Sequence, residues 1–297
     1  MSSLSGGVGD LTAKQRRAES GPALLPVWWR AYRRPRWWFE IVLIVVLDLV
    51  YEHLRDLVPL REHAAYDRGW DLFHFEQNIG FDVELTLNRF VMDHHWIAQA
   101  ANYSYAAFAF PVIAVLVWMF IWHRRVYKTA RSVLAFTTVL GLIGFWLFPT
   151  APPRLLDGAG FVDTTVYFHT IGSWGSRSVS SHSNLFAAMP SLHCGWALWV
   201  GLTLFFVARH PLLRAIGVLY PIWTLFVVMA TANHFIFDAF AGYFCVGVAV
   251  LAVWLLFGHS PWTPARDENE LVEDELLERA AKSGDGRDAK TRSTTSV

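Results

Sequence analysis

The stretch that decides the fold opens with Met189-Pro-Ser-Leu-His193 and closes with Asn233-His-Phe-Ile-Phe-Asp238. Two apolar runs, 192–207 and 215–230, lie between its two histidines. Spanning a bilayer takes about 20 residues of helix. The 41 residues that separate the histidines therefore correspond to one pass across a membrane and one pass back. The sequence predicts that both histidines lie at the same membrane face, at the mouths of neighbouring helices.

The composition indicates a membrane protein that does not bind nucleic acid. Hydrophobic residues make up 54% of the chain, and they cluster in several runs of spanning length that carry few charges. The formal net charge is zero, and no basic block is dense enough to attract nucleic acid. The two cysteines, Cys194 and Cys245, fall inside predicted spans and are interpreted as small buried hydrophobic residues.

The order of the apolar runs predicts an all-α integral membrane fold with six transmembrane helices. Residues 59–98 interleave apolar and charged side chains, and no run there is long enough to span. This part is therefore predicted to be an amphipathic interfacial helical segment between the first and second helices. The six spans are expected at about residues 37–57, 101–122, 132–148, 192–207, 215–230 and 235–257.

The same pattern divides the chain into three regions. Residues 1–36 are predicted to be a basic, disordered N-terminus, and residues 37–258 form the six-helix membrane domain. Residues 259–297 are predicted to be a charged and disordered tail, with room for one short helix over Glu268–Lys282.

Lysines and arginines in the connections predict the orientation. One side receives the N-terminal arginines, the basic segment 124–131, Arg209 with Arg214, and the tail. The other side receives segments in which basic residues are few or are offset by acids. Because basic connections stay in the cytoplasm, both termini are predicted to be cytoplasmic and the two histidines extracytoplasmic.

A proline-rich stretch is expected to hold an arginine at the same outer face. The stretch Phe148-Pro-Thr-Ala-Pro-Pro-Arg154 follows the third span, and its prolines end the helix and stiffen the chain. No spanning run separates Arg154 from Pro190, so the two lie on one face. A guanidinium there can bind a phosphate through two parallel hydrogen bonds, a geometry that lysine lacks.

These residue types suit phosphoryl transfer. A neutral imidazole can attack phosphorus when a carboxylate holds its other nitrogen in the right tautomer. His234 and Asp238 are four residues apart and supply that pair on one helical face. His193 is suited to protonate the departing oxygen. Pro190 and Ser191, just before it, are typical of a helix start that binds an anion.

Three motifs in this order resemble the type 2 phosphatidic acid phosphatase superfamily. They are Phe148–Arg154, Ala187-Ala-Met-Pro-Ser-Leu-His193 and Thr231-Ala-Asn-His-Phe-Ile-Phe-Asp-Ala-Phe-Ala-Gly242. They look most like the branch related to fungal inositol phosphorylceramide synthases, an inositolphosphotransferase-like branch that is common in actinobacteria. The resemblance runs from about Asp67 to Phe257.

The resemblance implies a six-helix membrane enzyme, in a bacterial plasma membrane, that cleaves or transfers a phosphate ester on a lipid. It implies no metal and no other cofactor. It also implies that His234 is the nucleophile, Asp238 its partner, His193 the acid and Arg154 a phosphate ligand. The expected substrate is a phospholipid, a polyprenyl phosphate or diphosphate, or a phosphoinositol donor.

The chain departs from the superfamily pattern in its positive charges. The superfamily usually places an arginine six residues before the nucleophilic histidine, where this chain has Val228. It usually also has a lysine before the arginine of the first motif, and the loop 150–190 contains no lysine. The candidates to complete the phosphate site are Arg177, Arg68, Asn233, Thr231 and the helix start at Ser191.

Two other functions stay open at this point. His193, His234 and Asp238 would suffice as the ligands of a catalytic zinc in a membrane hydrolase. A non-catalytic transporter or channel could also keep this fold, and Val228 is the best argument for it. Water and an alcohol can both attack a phosphohistidine, so hydrolysis and transfer are both open, as is the oligomeric state.

Overall fold

The protein is helical in a computed structural model that describes residues 23–56, 61–170 and 186–284. Within these ranges the structure has no β-strand, and extended pairing is limited to an isolated bridge between Thr150 and Ala187. A 3-10 turn is present at Pro153–Leu155. The helices are α1 (Val27–Arg30), α2 (Trp37–Asp56), α3 (Glu62–Asn78), α4 (Val83–Met92), α5 (His95–Ala106), α6 (Ala109–Trp122), α7 (Arg124–Leu147), α8 (Thr164–Tyr167), α9 (Leu192–Val207), α10 (Pro211–Ala230), α11 (Ile236–Phe257) and α12 (Glu268–Gly284).

Several of these helices could span a membrane. Among the described residues, α7, α10 and α11 are long and apolar enough, and the bent pair α5 and α6 counts as a fourth span if it crosses as one unit. The apolar part of α2 (Trp37–Val46) and the whole of α9 are shorter. At ~1.5 Å per residue, the 16 residues of α9 give about 24 Å, less than the ~30 Å of a hydrocarbon core. Length and composition alone thus support three or four of the six predicted spans.

The second predicted span is broken in the middle. The sequence predicts one helix over 101–122, but α5 ends at Ala106, α6 begins at Ala109, and the two are bent by 51°. Pro111 explains the break, because it has no N–H and its ring would clash with the carbonyl of Ala107 in a continuous helix. The break is relevant to the site, since Tyr105 at the end of α5 and Phe108 within the break contact His193.

The basic segment 124–131 is helical rather than a connecting loop. The helix α7 begins at Arg124, whereas the apolar pattern predicts a start near Ser132. Its cations have partners that a helix can reach: Lys128 donates to the Trp29 carbonyl at 2.5 Å, and Arg131 donates to Glu40 on α2. These contacts tie α7 to α1 and α2.

In the described part of the segment 59–98, residues 61–94 form two helices, α3 and α4, whose acids do not all face outward, and residues 95–98 begin α5. Glu76 on α3 and Glu84 on α4 are fully buried (0% exposed). The interleaved pattern predicts acids on a solvated face, so the direction of these two side chains is a correction to that prediction. A buried carboxyl group is stable only when it is paired, hydrogen-bonded or neutral, and both acids lie against the start of α11.

Two glycines bring the backbones of α9 and α10 into direct contact. A Cβ built on Gly201 would lie 2.4 Å from the Gly217 carbonyl oxygen, and one built on Gly217 would lie 2.7 Å from the Gly201 carbonyl oxygen. Small residues at such crossings allow close helix packing in membranes. The helices before and after the turn 208–210 are thereby held as one unit, which holds the two histidine-bearing ends side by side.

The main apolar core lies among α6, α7, α9 and α11. Met119, Val133 and Trp199 are fully buried there, and the Trp199 indole donates to the Ala130 carbonyl at 2.8 Å. Trp199 lies less than two turns after His193 along α9. The site is therefore built directly on this core.

The described parts of the two termini contact each other. Arg30 on α1 forms an ion pair of 2.6 Å with Glu275 on α12, a helix that falls where a short tail helix was expected. The remainder of the N-terminal and tail regions predicted to be disordered, residues 1–22 and 285–297, lies outside the described residues.

Candidate active site

His234, the histidine of the third motif, lies in a tight turn between α10 and α11. The chain reverses over residues 231–235, and Ala232 adopts the left-handed region with φ of 52°. The N–H groups of Asn233 and His234 both donate to the Val228 carbonyl, at 3.0 and 3.2 Å. The turn places His234, which is 4% exposed, two residues before Ile236, the first residue of α11.

The His234 ring is held on its Nδ1 side. Nδ1 lies 3.0 Å from the carbonyl oxygen of Ala188 and 3.5 Å from Asp238 Oδ2. A carbonyl can only accept, so Nδ1 carries the hydrogen and Nε2 keeps a free lone pair. The sequence pattern predicts Asp238 as the partner of this nitrogen. The structure adds the Ala188 carbonyl, which lies nearer.

Asp238 and Ser191 join the first turns of α11 and α9. Asp238 is fully buried, and its Oδ2 accepts a hydrogen bond of 2.9 Å from the Phe235 N–H. Its backbone carbonyl accepts one of 2.8 Å from the Ser191 N–H. Ser191 also caps α9, because its hydroxyl oxygen accepts from the Cys194 N–H at 3.3 Å. The two histidine-bearing segments are thus held in a fixed register.

Gly242 permits this close approach of α9 and α11. An alanine Cβ at position 242 would lie 2.2 Å from the Ser191 carbonyl oxygen, so the two backbones would have to separate. We expect Gly242→Ala to destabilise the protein by about 1–3 kcal/mol, as overpacking does, and to lower its unfolding temperature in detergent. Gly247→Ala, on the same helix with nothing within 4 Å of the added Cβ, is the matched control. Equal unfolding temperatures for the two variants would contradict this account of the junction.

His193 lies beside His234 in an aromatic setting. The two ring centroids are 5.6 Å apart, with an interplanar angle of 56°. The Tyr105 ring stacks on His193 at 4.4 Å, and the Phe108 ring lies at 4.1 Å. Tyr105 lies in the last turn of α5, and Phe108 lies in the break between α5 and α6. The break therefore shapes the surroundings of His193, although none of the three sequence motifs includes these aromatic residues.

Arg154 reaches the same turn from the proline-rich loop. Its Nη1 donates to Asn233 Oδ1, and its Nε lies 3.5 Å from Asp163 Oδ2. Its backbone N–H donates to the Ala232 carbonyl at 2.9 Å. The loop is thus docked on the histidine turn, and the charge of the guanidinium acts on the His193 ring. The structure brings together the arginine and both histidines.

The other candidates for a phosphate site differ in their placement. Arg68 donates to a carbonyl of the proline-rich loop at 3.3 Å, and the Thr231 hydroxyl donates to its own helix at 2.7 Å. Asn233 uses its amide nitrogen on Thr231 and its oxygen on Arg154. Arg177 lies outside the described residues. Val228 is fully buried.

Asn88 on α4 is a site-supporting residue that the motifs do not reveal. It is fully buried, and its amide nitrogen donates to the carbonyls of Ala230 at 2.9 Å and Val162 at 3.0 Å. Its oxygen accepts from the Val162 N–H at 2.8 Å. Asn88 therefore ties the end of α10 to the loop that carries Asp163, the ion-pair partner of Arg154.

A largely apolar cavity of about 280 Å³ lies beside His193. Residues of α5, α6, α9 and α10 line it, among them Tyr105, Phe108, Trp223 and Val228. Val228 occupies the position where the superfamily pattern usually has an arginine. An arginine there would bring a charge to this wall, and the valine keeps it apolar.

Comparison with known families gives a match over most of this region. The sequence model of the PAP2 superfamily matches residues 70–252, more than half of the chain, including both histidines, Asp238 and Arg154. The chain belongs to the PAP2 superfamily. This confirms the resemblance at the level of the superfamily, whose members are generally phosphatase-type enzymes. The narrower branch stays a prediction. No curated protein and no solved structure matches the chain.

The zinc alternative finds no ligand set in this PAP2 superfamily chain. Within residues 23–56, 61–170 and 186–284, no group of three or more His, Cys, Asp or Glu side chains is arranged to hold a metal ion. The three residues considered as ligands are engaged differently. Asp238 Oδ2 accepts from a backbone N–H, and His234 Nδ1 faces a carbonyl.

Proposed function

We propose that the protein is a membrane-embedded lipid phosphatase or phosphotransferase that works through a phosphohistidine intermediate. The pair of His193 and His234 carries the proposal. Their ring centroids are 5.6 Å apart, and the Ala188 carbonyl on Nδ1 of His234 leaves its Nε2 free to attack. Arg154, joined to the same turn through Asn233, supplies positive charge for the phosphoryl group.

In the first step the Nε2 lone pair of His234 attacks phosphorus. A P–N bond forms, the P–O bond to the leaving group breaks, and the leaving oxygen takes a proton from the protonated ring of His193. The phosphorylated His234 ring gains positive charge while Nδ1 keeps its hydrogen. Asp238 Oδ2, at 3.5 Å from Nδ1, offsets that charge.

In the second step water or an alcohol attacks phosphorus on the opposite side from His234. His193 takes the proton of the attacking hydroxyl, the P–N bond breaks, and His234 returns to its neutral form. Attack by water releases phosphate, and attack by an alcohol transfers the phosphoryl group. His193 is protonated again and ready for the next cycle, so the two steps balance without a metal or other cofactor.

The cavity beside His193 supports a lipid as the substrate. Its lining is mostly apolar and includes the rings of Tyr105, Phe108 and Trp223. An apolar cavity favours an acyl or prenyl chain by removing its surface from water. Arg154, bound at the neighbouring turn, then faces the phosphate end of the same molecule. This arrangement fits a phospholipid, a polyprenyl phosphate or diphosphate, or a phosphoinositol donor.

The small positive charge of the site favours transfer from a phosphodiester as the second candidate activity. In the described part of the chain, Arg154 is the cation that contacts the histidine turn, and Asp163 offsets part of its charge. A phosphodiester carries one negative charge, whereas a phosphomonoester carries about two at neutral pH. The site therefore compensates a diester better. This supports the inositolphosphotransferase-like branch.

The proposed setting is a bacterial plasma membrane with the site on the outer face. The membrane domain would span residues 37–258 with six helices, with α3 and α4 as the interfacial segment and both termini cytoplasmic. The basic segments 124–131 and 209–214 support this orientation. A cysteine at the exposed Asp157 should react with a membrane-impermeant reagent in intact cells. Reaction only in opened cells would reverse the orientation.

The function is tested with purified protein in detergent containing EDTA. We expect phosphate release from lipid phosphates or diphosphates, or head-group transfer from phosphatidylinositol when an alcohol acceptor is added, and we expect EDTA to leave the rate unchanged. The lipid that is turned over fastest identifies the substrate class. Activity that depends on a divalent cation would contradict the proposed mechanism. Absence of both release and transfer with every lipid would favour a non-catalytic transporter or channel.

A further inference from the structure

The first turn of α11 rests on two acids that the proposed reaction does not use. Glu76 Oε1 accepts a hydrogen bond of 3.2 Å from the Phe237 N–H, and the Ile236 N–H favours the charged form of Glu84. The first N–H groups of a helix have no partner within the helix, so acceptors placed there stabilise its start. Glu76 thus binds the turn that carries Asp238, and Glu84 lies beside this turn.

Asp238 brings a third carboxyl group to the same place. Its Oδ2 accepts from the Phe235 N–H at 2.9 Å and lies 3.5 Å from Nδ1 of His234. Glu76 comes from α3, Glu84 from α4 and Asp238 from α11, and all three are 0% exposed. We call these three residues the acid cap.

The acid cap has fewer donors than three ionised carboxylates require. Glu76 Oε2, Asp238 Oδ1 and both oxygens of Glu84 find no hydrogen-bond partner among the described residues. The charged groups that act on Glu76 and Glu84 are each other and Asp238, so every one of them is an acid. A buried charge without a partner costs several kcal/mol, and such a group becomes neutral instead.

One proton between Glu76 and Glu84 pairs Glu76 Oε2 with one of the two unpaired oxygens of Glu84. Both carboxyl groups lie beside the first turn of α11, and each acts on the pKa of the other. Two carboxyl groups that share a buried site hold a proton between them, because both cannot ionise there. With a proton on Glu76 Oε2, Glu76 donates to Glu84, and its Oε1 still accepts from the Phe237 N–H.

We propose that Glu76 and Glu84 are positioning residues of the active site, joined by one shared proton, and that they hold the first turn of α11 so that Asp238 stays against His234. The role of Asp238 and His234 in catalysis rests on the function proposed above. The proton-sharing pair does not depend on that function and can be measured without a substrate.

The two acids differ in which of them holds the shared proton. Burial, followed by the hydrogen bond and the charge of the neighbouring Glu84, raises the pKa of Glu76 to about 10. Burial also raises the pKa of Glu84, but the hydrogen bond from Glu76 lowers it. Because Glu76 Oε1 already accepts from the Phe237 N–H and Oε2 is unpaired, we assign Glu76 as the donor and Glu84 as the acceptor of the shared proton. This asymmetry separates the expected behaviour of glutamine at the two positions.

Glutamine is a close substitute for a protonated glutamate. In Glu76→Gln the amide nitrogen can donate to Glu84, and the amide oxygen can accept from the Phe237 N–H. We expect this variant to keep kcat within about threefold, while Glu76→Ala loses about 100-fold in kcat with little change in KM, as a misplaced catalytic group does. In Glu84→Gln an amide replaces the carboxyl group that accepts the shared proton. We expect this variant to lower kcat more than Glu76→Gln does.

The shared proton also predicts how stability depends on pH. Glu76 titrates near its ordinary pKa of 4.5 in the unfolded chain and near 10 in the folded protein, so unfolding releases a proton between these values. The stability contributed by this group is complete below about 4.5 and falls as the pH rises towards 10. The unfolding temperature in detergent should therefore fall between about pH 5 and 9, and Glu76→Gln should flatten that slope. The exposed Glu62→Gln on the same helix should not.

The combined measurement overturns or supports the proposal in each case. If Glu76→Gln lowers kcat as much as Glu76→Ala, or leaves the pH slope of unfolding unchanged, the proton-sharing pair is wrong. If the slope flattens and kcat survives only with glutamine, both the pair and its positioning role are supported. If the slope flattens but no lipid is turned over by any form of the protein, the pair stands and the proposed function fails.

Discussion

Replacing His234 with asparagine is expected to abolish turnover and leave the fold intact. The asparagine amide can still donate to the Ala188 carbonyl, which Nδ1 of His234 faces at 3.0 Å, but it has no atom at the Nε2 position. Removing the nucleophile from a catalytic unit lowers the rate by roughly 10⁴-fold or more. We therefore expect background rates of lipid turnover and an unfolding temperature in detergent close to that of the unchanged protein.

The covalent intermediate provides a second readout for this variant. A phosphohistidine is stable in alkali and lost in acid, so labelled phosphate from the substrate should remain on denatured wild-type protein only under alkaline conditions. His234→Asn should carry no label. The exposed His63 is the control, and His63→Asn should keep both turnover and label. Turnover by His234→Asn at more than about a tenth of the wild-type rate would contradict nucleophilic attack by this residue.

The length of a membrane span is the reason that the sequence predicts both histidines on the same side of the membrane. Bilayer thickness fixes the number of residues in a helical pass, so the spacing of His193 and His234 already returns them to one side. The prolines before Arg154 act similarly, because they end α7 and force the chain to stay near its end. In the structure the Arg154 side chain contacts the turn that carries His234, and the His193 ring lies 5.6 Å from the His234 ring.

Backbone groups and buried polar side chains are harder to predict. The Ala188 carbonyl that holds His234 has no side-chain signature, and its position depends on the packing of distant segments. Glu84 and Asn88 lie on the buried face of α4 with Leu85 and Val91, at spacings of three and four residues. That spacing is visible in the sequence. An acid or amide at such a position is nevertheless predicted to be exposed to solvent until its buried partners are known.

Arg154→Lys is expected to lose most of the activity although it keeps the positive charge. The arginine donates to Asn233 Oδ1 from one nitrogen and faces Asp163 Oδ2, at 3.5 Å, with another. A lysine has a single nitrogen and cannot keep both contacts while also binding a phosphate. Losing a preorganised group that stabilises transition-state charge costs about 10²- to 10³-fold in kcat. We expect about 10²-fold for Arg154→Lys and more for Arg154→Ala, measured as lipid turnover.

Arg68→Lys is the matched control, because Arg68 contacts the same loop through the Pro149 carbonyl but makes no described contact with the histidine turn. It should change kcat by less than about threefold. The charge on the substrate gives a sharper comparison, since a phosphomonoester needs more compensation than a phosphodiester. Arg154→Ala should therefore lose more activity with a lipid monophosphate than with phosphatidylinositol. A larger loss of kcat for Arg68→Lys than for Arg154→Lys would mean that Arg68, and not Arg154, binds the phosphate. Equal losses of activity with both lipids for Arg154→Ala would contradict the charge argument for a phosphodiester substrate.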